Sequence, residues 1–256
     1  MASRPRSPKH EYEVFVELEI ENYKNRVPRR TLLAIGDEAV KAMNEQAQFA
    51  LTELLLCAEV DRIIKTRIGL ASFAVWRKKQ VKMLAEWKRP ERWGMNADDA
   101  LVRTVKSKIE GHVLLAGANE DGPALYLAAN GCDVTTLDPD EDLLDRVYTA
   151  AATVGLTSRI RGLVADLGSW SPDGPLNAVV CAAAAFSGLN DAERRRAIAL
   201  LQSATTAGGL HMVETSSHGT RLFPIEELRA VYLGWQVTVE RGGTSTETFL
   251  ATKMLS

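Results

Sequence analysis

The chain has 256 residues, of which 46% are hydrophobic and 25% are charged, and its formal net charge is −2 at pH 7. These values are typical of a globular protein with a real core, and the near-neutral charge argues against a molecule dedicated as a whole to nucleic acid or anionic membrane. No apolar run reaches the roughly 18 residues of a membrane span, and the first ten residues lack the apolar core of a signal peptide. The three cysteines, Cys57, Cys132 and Cys181, are odd in number and widely separated. They predict neither a disulfide framework nor a metal site, and we expect a cytoplasmic protein.

Residues 10–95 contain only three glycines and repeat their apolar side chains with helical spacing. A first helix carries Tyr12 to Tyr23 and is closed by Pro28. A second helix is predicted from Asp37 to Gly69, which at roughly 30 residues exceeds the usual globular length, and a third from Ser72 to Trp87. We therefore expect a helical N-terminal region over residues 1–105 that serves interaction, dimerisation or covering of a site, and the long second helix favours a homodimer.

The stretch 76–93 combines seven basic residues with three tryptophans. One interpretation is a single-stranded nucleic-acid surface, in which cations contact phosphates and aromatic rings stack on bases. The other is a helix with a solvated basic face whose tryptophans lie in a core. Because Glu86 and Glu91 interrupt the basic residues, the second interpretation is favoured.

From residue 106 onward, short β-rich apolar runs alternate with helical segments, which predicts an α/β domain over residues 106–256 with helices wrapped around a mostly parallel sheet. The expected strands span residues 112–116, 133–137, 161–165, 177–181, 209–214, 236–240 and 246–252. A Gly-Gly turn joins the last two strands, so we expect that pair to be antiparallel.

Polar or glycine-bearing segments follow the first three predicted strands: Gly117 to Gly122, Asp138 and Asp166. Parallel strands place ligands at their carboxyl ends, at the point where the strand order reverses. Glycines allow a close approach of the backbone, and a carboxylate about 20 residues after a glycine turn can accept both hydroxyls of a ribose. The pattern predicts a nucleoside ligand. Each aspartate has an alternative role as the cap of the helix or turn that follows it.

The run from Val113 to Asp138 resembles the first two motifs of class I S-adenosylmethionine-dependent methyltransferases, most closely the tellurite-resistance and thiopurine methyltransferase group. The resemblance covers about 145 residues and implies a Rossmann-like seven-stranded sheet. It departs from the family in the glycine turn, which usually runs Asp-x-Gly-x-Gly-x-Gly but here reads Leu115-Ala-Gly-Ala-Asn-Glu-Asp121. Only the first glycine is retained.

The resemblance implies S-adenosylmethionine as the cofactor. The methionine part would lie on the glycine turn, the ribose hydroxyls at the second strand, the adenine at the third, and the transferred methyl beside the fourth. The implied cofactor-binding residues are Gly117, Ala118, Asn119, Gly122, Asp138, Pro139, Asp166, Leu167 and Cys181.

We expect methyl transfer by in-line displacement to an acceptor that the sequence leaves open, since alignment of acceptor and methyl group is the main task of such an enzyme. No Asn-Pro-Pro-Tyr type motif follows the fourth strand, which argues against methylation of amino groups on bases or glutamine. Phe186 and Ser187 are candidate acceptor contacts, and His211, Glu214 and His218 are candidates for acid or base chemistry. The alternative hypothesis is an inactive methyltransferase-like binding or scaffold protein that works through its N-terminal helices.

Overall fold

The computed structural model describes residues 7–44, 52–118, 120–217, 220–221, 224–241 and 247–255. The chain divides into two compact units, Met1–Met83 and Leu84–Ser256. The helices are α1 Pro8–Arg26, α2 Arg29–Asn44, α3 Thr52–Arg67, α4 Phe73–Trp87, α5 Ala100–Lys108, α6 Gly122–Ala129, α7 Glu141–Val154, α8 Asp191–Ala204 and α9 Ile225–Val231. The strands are β1 His112–Ala116, β2 Asp133–Asp138, β3 Ile160–Val164, β4 Leu176–Cys181, β5 Thr205–Glu214, β6 Ser216–Ser217, β7 Thr220–Arg221, β8 Trp235–Arg241 and β9 Glu247–Lys253.

The first unit has a small core. Helix α1 begins at a capping residue, Ser7, whose side chain accepts a hydrogen bond from the His10 N–H, and it ends before Pro28 as predicted. One hydrophobic cluster among its described residues is formed by buried side chains of α1, α2 and α3: Ile20, Ile35, Ala39, Ile63 and Ile64. A second, aromatic contact joins α1 to α4, where the rings of Tyr12 and Trp76 lie 5.4 Å apart.

The predicted single helix from Asp37 to Gly69 is wrong. The structure has two helices, α2 and α3, which pack against each other so that Ile35 and Ala39 meet Ile63 and Ile64. An ion pair between Glu38 and Arg67 also joins them. Helical periodicity is the same for one long helix and for two helices that fold back on each other, so the pattern alone could not separate the two. Part of the predicted helix, residues 45–51, lies outside the described residues.

Residues 84–105 were expected in the helical region, but they pack within the sheet-bearing unit. A 3-10 turn over Pro90–Trp93 and helix α5 contribute to the same hydrophobic cluster as the sheet. Trp87 and Trp93 are partly buried against this cluster, and the Trp93 Nε1–H donates a hydrogen bond to the Trp87 carbonyl oxygen at 2.7 Å. Trp76 is buried. The tryptophans therefore pack inward and do not form a stacking surface, while the basic side chains of this stretch are exposed.

The main sheet has the strand order β3-β2-β1-β4-β5-β9-β8. The four pairs formed by β3, β2, β1, β4 and β5 are parallel, and β9 pairs antiparallel with both β5 and β8. The predicted seven-stranded sheet with a closing antiparallel pair is confirmed. The order reverses at β1, whose neighbours are β2 on one side and β4 on the other. This reversal opens a crevice at the carboxyl ends of the strands.

Helices cover both faces of the sheet. Alternate side chains of β1 point to opposite faces, so Val113 and Leu115 join a core beneath α5, α6 and α7, whereas Leu114 and Ala116 join a core beneath α8 and α9. Burial on both faces explains why the strands read as continuous apolar runs.

Helix α8 is capped by Asn190: the Asn190 side chain accepts from the Ala192 and Glu193 N–H groups, and the Glu193 side chain accepts from the Asn190 N–H. This reciprocal arrangement satisfies free N–H groups at the helix start. One strand boundary differs from the prediction. Strand β5 begins at Thr205, four residues earlier than expected. In the part of the chain that the structure describes, no helix is both long and apolar enough to cross a membrane.

Candidate functional site

A cavity of about 170 Å³ opens at the carboxyl ends of β1, β2 and β3, where the strand order reverses. Its lining residues come from these strand ends and from the segment after β4: Ala116, Gly117, Leu137, Asp138, Pro139, Ala165, Asp166, Leu167, Ala184, Ala185 and Ser187. Five of the residues predicted to bind a cofactor are therefore brought together. The position agrees with the expectation that ligands of such sheets bind at the switch point.

Gly117 ends β1 in a left-handed conformation, with φ of +67°. Its N–H donates to the Leu137 carbonyl oxygen at 3.1 Å, which ties the start of the turn to β2. A Cβ atom added at this position would lie 2.7 Å from the Cα of Ala185, and it would clash with the Ala185 backbone nitrogen as well. Glycine is required here both by the backbone conformation and by the close approach of the segment after β4.

Asp138 is the last residue of β2 and is only 7% exposed. Its Oδ1 accepts a hydrogen bond from the Asp140 N–H at 2.9 Å. Burial raises the pKa of this carboxyl above its ordinary value of 3.8, against an opposing effect of the Asp140 N–H. Within the described residues, no hydrogen bond to Oδ2 accompanies the one to Oδ1, so that oxygen can accept from a ligand in the cavity.

Asp166 follows β3 and organises its own turn. Its Oδ1 accepts from the N–H groups of Gly168 and Ser169, each at 2.8 Å, and the hydrogen bonds from Ser169 lower the pKa of the exposed carboxyl. The predicted alternative role of Asp166, as a cap of the following turn, is therefore seen. The turn carries Leu167, which is buried, to the floor of the cavity.

Of the other predicted cofactor residues, the three that the structure describes do not line the cavity. Ala118 and Cys181 are buried in the two cores, and burial raises the pKa of the Cys181 thiol to about 12. Gly122 begins α6, and a Cβ atom added to it would clash with the Trp93 carbonyl oxygen. Asn119 lies outside the described residues.

The candidates for acid or base chemistry are scattered. His211 is fully buried within β5, and both ring nitrogens are engaged, by Thr205 Oγ1 and by the Tyr232 hydroxyl, each at 2.7 Å. Burial lowers its pKa to about 3, so it is a neutral core side chain and not a base at the site. Glu214 is exposed at the end of β5, yet desolvation of its carboxyl by the surrounding protein raises its pKa. A hydrogen bond from the Ala183 N–H lowers the pKa by a smaller amount. His218 lies outside the described residues.

The two candidate acceptor contacts differ. Phe186 is buried in the core beneath α8 and α9, whereas Ser187 is exposed and lines the cavity, with its hydroxyl donating to the Ala184 carbonyl oxygen at 2.7 Å. Among the described residues, no group of three or more His, Cys, Asp or Glu side chains is placed to hold a metal ion.

Sequence reasoning missed the residues that cover the glycines, Ala185 and Trp93. Ala185 lies in a 3-10 turn, Ala183–Phe186, directly after β4. The run of alanines followed by Phe-Ser-Gly was a usable signal for such a turn, because small residues permit close packing and a buried aromatic residue can fix it. No local signal predicted the contact between Trp93 and Gly122.

The site fits part of an adenosyl group. The Asp138 carboxylate at the end of β2, whose Oδ2 accepts no hydrogen bond from the described residues, suits a ribose diol, and the apolar Leu167 at the neighbouring strand end suits the face of a base. On the side where a Cβ atom would lie, Gly117 and Gly122 pack against protein backbone.

No family model matches the sequence, and no curated protein matches it. Several solved structures match the structure of the chain. The chain is 19% identical to TehB from Haemophilus influenzae, with a TM-score of 0.50, and the match covers 60% of this chain and 61% of that one. It is 14% identical to the glycopeptide N-methyltransferase MtfA complexed with sinefungin, with a TM-score of 0.51 and coverage of 63% and 87%. It is 16% identical to the N-methyltransferase NodS from Bradyrhizobium japonicum WM9, with a TM-score of 0.50 and coverage of 64% and 96%.

At these identities the likeness establishes the fold. The Leu84–Ser256 unit has the seven-stranded fold of class I methyltransferases, and the predicted fold class is confirmed. The matched region spans less than two thirds of TehB.

Proposed function

We propose that the Leu84–Ser256 unit binds S-adenosylmethionine in the cavity at the ends of β1, β2 and β3 and transfers its methyl group to an acceptor. The observation that carries this proposal is Asp138: a buried carboxylate whose Oδ2 accepts no hydrogen bond from the described residues, at the strand end where the sheet order reverses. Structures of a protein with this fold are complexed with S-adenosylmethionine, S-adenosylhomocysteine and sinefungin, which supports an adenosyl ligand.

In this proposal the residues of the chain position the ligand. Asp138 accepts hydrogen bonds from the ribose hydroxyls, Pro139 and Leu167 contact the nucleoside, and the Asp166 turn holds Leu167 in place. When bound, the cofactor supplies a methyl group on a sulfonium, which is displaced in line by the acceptor. Ser187 is the polar side chain that we expect to contact the acceptor, because it lines the cavity and belongs to the segment after β4.

The experiment is calorimetric titration of the full chain with S-adenosylhomocysteine and S-adenosylmethionine, beside Asp138→Asn and Asp133→Asn. Asp133 is a matched control because it lies at the other end of the same strand and is exposed. We expect micromolar binding that Asp138→Asn weakens by about 10- to 100-fold, as for loss of a charged hydrogen-bond acceptor, and that Asp133→Asn leaves unchanged. If the wild-type chain binds neither of the two ligands, the proposal is ruled out.

A second candidate function is a methyltransferase-like binding protein without catalysis. It is favoured by the glycine turn, which keeps only the first of the three glycines that are usual in methyltransferases of this fold. Transfer of a radiolabelled methyl group to proteins, nucleic acids or small molecules of a cell extract separates the candidates. Labelling that Asp138→Asn abolishes supports the enzyme, and ligand binding without any labelling supports the binding protein.

For the helical unit we propose pairing of two copies of the chain through α2. Leu33 and Val40 are exposed on the same face of this helix, on either side of Gly36, at which an added Cβ atom would meet nothing within 4 Å. Two such helices crossing antiparallel at Gly36 would place Leu33 of each copy near Val40 of the other, which is a self-complementary, two-fold arrangement.

The mass of the full chain in solution, measured by light scattering, tests this pairing. We expect a dimer that Leu33→Glu with Val40→Glu converts to a monomer. Leu233→Glu is the control, since Leu233 is equally apolar and 81% exposed but belongs to the other unit. A wild-type monomer at all concentrations would contradict the proposal.

A further inference from the structure

Positive charge is concentrated in one segment of the chain. Residues 62–85 carry seven basic side chains and no acidic one. Because the formal net charge of the whole chain is −2, a charge of +7 in this segment leaves −9 for the rest of the molecule. The segment comprises the end of α3, the turn that follows it and most of α4. Such a concentration is typical of a surface that attracts a polyanion.

The cations of α3 are already balanced by neighbouring carboxylates. The Arg62 side chain forms an ion pair with Glu59 one turn earlier on the same helix. The Arg67 side chain forms one with Glu38 of α2. These two arginines therefore join parts of the helical unit to each other and have little charge left for an external partner.

Three lysines of α4, Lys78, Lys79 and Lys82, differ from these arginines, and we call them the basic face. All three are exposed, and none of them forms an ion pair within the part of the chain that the structure describes. Lys82 is four residues from Lys78 and three from Lys79, so the three side chains share one side of the helix. The basic face therefore presents three uncompensated positive charges to solvent.

Aromatic packing fixes the other side of α4. The rings of Phe73 and Trp76 lie 5.5 and 5.4 Å from the ring of Tyr12 in α1. Trp76 is buried as a result. Because these rings of α4 are used in packing, the basic face has no aromatic platform on which an unpaired base could stack. Its contacts with a polyanion must be electrostatic.

The spacing of the three charges indicates which polyanion fits. Lys78 and Lys82 are about 6 Å apart along the helix axis, so the basic face presents one positive charge per roughly 2 Å. Duplex nucleic acid carries one negative charge per about 1.7 Å of its axis. An extended acidic peptide carries at most one charge per about 3.3 Å, even with a carboxylate on every residue. The basic face therefore matches the duplex in charge density.

An anionic membrane fits less well. A helix that lies in a membrane interface buries a stripe of large apolar side chains in the lipid. The large rings of Phe73 and Trp76 pack against protein instead. Of the exposed apolar side chains Val75, Val81 and Leu84, only the last two are neighbours on the helix surface. Two such side chains do not make an apolar stripe.

We propose that the basic face of α4 binds the phosphate backbone of double-stranded nucleic acid. Lysine ammonium groups contact phosphates as point charges and release the counterions condensed on the duplex. Contacts to phosphate carry no sequence information, so the binding has no sequence preference. The proposal is independent of methyl transfer, because the basic face belongs to Met1–Met83 and Asp138 belongs to the other unit.

The first experiment is fluorescence anisotropy of a labelled duplex DNA of about 20 base pairs, titrated with the full chain at salt concentrations from about 50 to 200 mM. We expect a micromolar dissociation constant at the lowest salt. The logarithm of the association constant should fall with the logarithm of the salt concentration with a slope of about 3, as for three phosphate contacts. No binding at protein concentrations up to about 100 μM, or a slope near zero, would overturn the proposal.

A triple alanine variant tests the basic face itself. Lys78→Ala, Lys79→Ala and Lys82→Ala together should weaken duplex binding by at least about 10-fold and flatten the salt dependence, while alanine preserves the helix. The control removes the same number of exposed cations from other helices: Lys9→Ala, Lys41→Ala and Arg195→Ala. We expect the control to stay within about 2-fold of the wild type. Equal losses in the two triple variants would show that only the total charge matters and would contradict the assignment to α4.

Other polyanions test the choice of partner. Duplex RNA should bind within about 10-fold of duplex DNA, and a single strand of the same length should bind no more tightly than the duplex. A single strand that binds more than about 10-fold tighter overturns the proposal. So does tighter binding of phosphatidylserine vesicles or polyglutamate than of the duplex. Asp138→Asn should bind the duplex like the wild type, so failure of this proposal and failure of the proposed function are seen in separate measurements.

Discussion

The two units of this chain use apolar residues in different ways. In Leu84–Ser256, two hydrophobic cores lie on the two faces of the sheet, and the strand side chains within them are almost completely buried. Among the described residues of Met1–Met83, the hydrophobic cluster has five buried members, while Leu18, Leu33 and Leu54 are each more than half exposed. A sheet covered on both faces hides every residue of a strand, whereas a helix hides only one stripe. Apolar side chains of the sheet strands are therefore mostly buried, whereas several apolar side chains of the helices are exposed.

The largest expected difference is in core truncation. Leu114 in β1 is fully buried, and Leu114→Ala should lower the free energy of unfolding by about 3–5 kcal/mol, since it removes the side chain from a filled core. Leu54→Ala in α3 should change it by less than about 0.5 kcal/mol, because that side chain is 71% exposed. Urea unfolding of the two variants checks the contrast. Equal effects would mean that the exposed leucine is covered in solution.

Glycine replacement should have opposite signs in the two units. Gly117→Ala forces a side chain into a left-handed backbone and against the Ala185 backbone, and should destabilise the protein by about 2–3 kcal/mol. Gly36 lies within α2 with open space around it in the single chain, so in the Leu33→Glu, Val40→Glu background, which removes the proposed pairing, Gly36→Ala should stabilise that helix by about 0.5–1 kcal/mol. Thermal unfolding measures both. A Gly117→Ala protein as stable as the wild type would show that the segment after β4 is free to move away.

Loss of a buried hydroxyl should also distinguish the units. The Thr205 hydroxyl donates to the Leu201 carbonyl oxygen and therefore accepts from His211 Nε2–H, so the neutral ring accepts the Tyr232 hydroxyl proton at Nδ1. Tyr232→Phe leaves this buried nitrogen without that donor and should destabilise by about 2 kcal/mol. Tyr12 is also buried, but its acceptor is the carbonyl oxygen of the partly exposed Ala71, where water can replace the donor, so Tyr12→Phe should have an effect of about 1 kcal/mol or less. Denaturant unfolding of both variants gives the comparison. Equal losses would contradict it.

Acid sensitivity should arise from the sheet unit. Burial lowers the pKa of His211 from 6.5 to about 3. Between these two pH values the histidine is protonated in the unfolded chain but neutral in the folded chain. This stabilising contribution is therefore complete above pH 6.5 and is lost as the pH falls toward 3, by about 1.4 kcal/mol per pH unit.

The difference between wild type and His211→Asn isolates this effect from carboxyl groups such as Asp138, whose raised pKa acts in the opposite direction. Unfolding free energies between pH 7 and pH 4.5 should fall more steeply for the wild type than for His211→Asn. His10→Asn, at an exposed position of α1, should follow the wild type. Parallel curves for wild type and His211→Asn would contradict the assignment of His211 as a buried neutral group.

The sequence by itself determined the seven strands of the main sheet, the antiparallel closing pair and the strand-end positions of Asp138 and Asp166. These follow from patterns only a few residues long, namely apolar runs bounded by glycine, aspartate and proline, and parallel strands bring their ends to one edge whatever the details of packing. The first helix and its end before Pro28 also follow from patterns within a short segment of the chain.

Tertiary structure alone decided the rest. The reversal between α2 and α3 depends on Ile35 and Ala39 meeting Ile63 and Ile64, and periodicity within one segment carries no information about such a meeting. The burial of Trp76, Trp87 and Trp93 turned a candidate stacking surface into core packing. The contacts of Ala185 with Gly117 and of Trp93 with Gly122 join residues far apart in the chain. The first of these contacts forms part of the wall of the crevice, since Gly117 and Ala185 both line the cavity, and the shape of a site depends on what the rest of the fold packs around it.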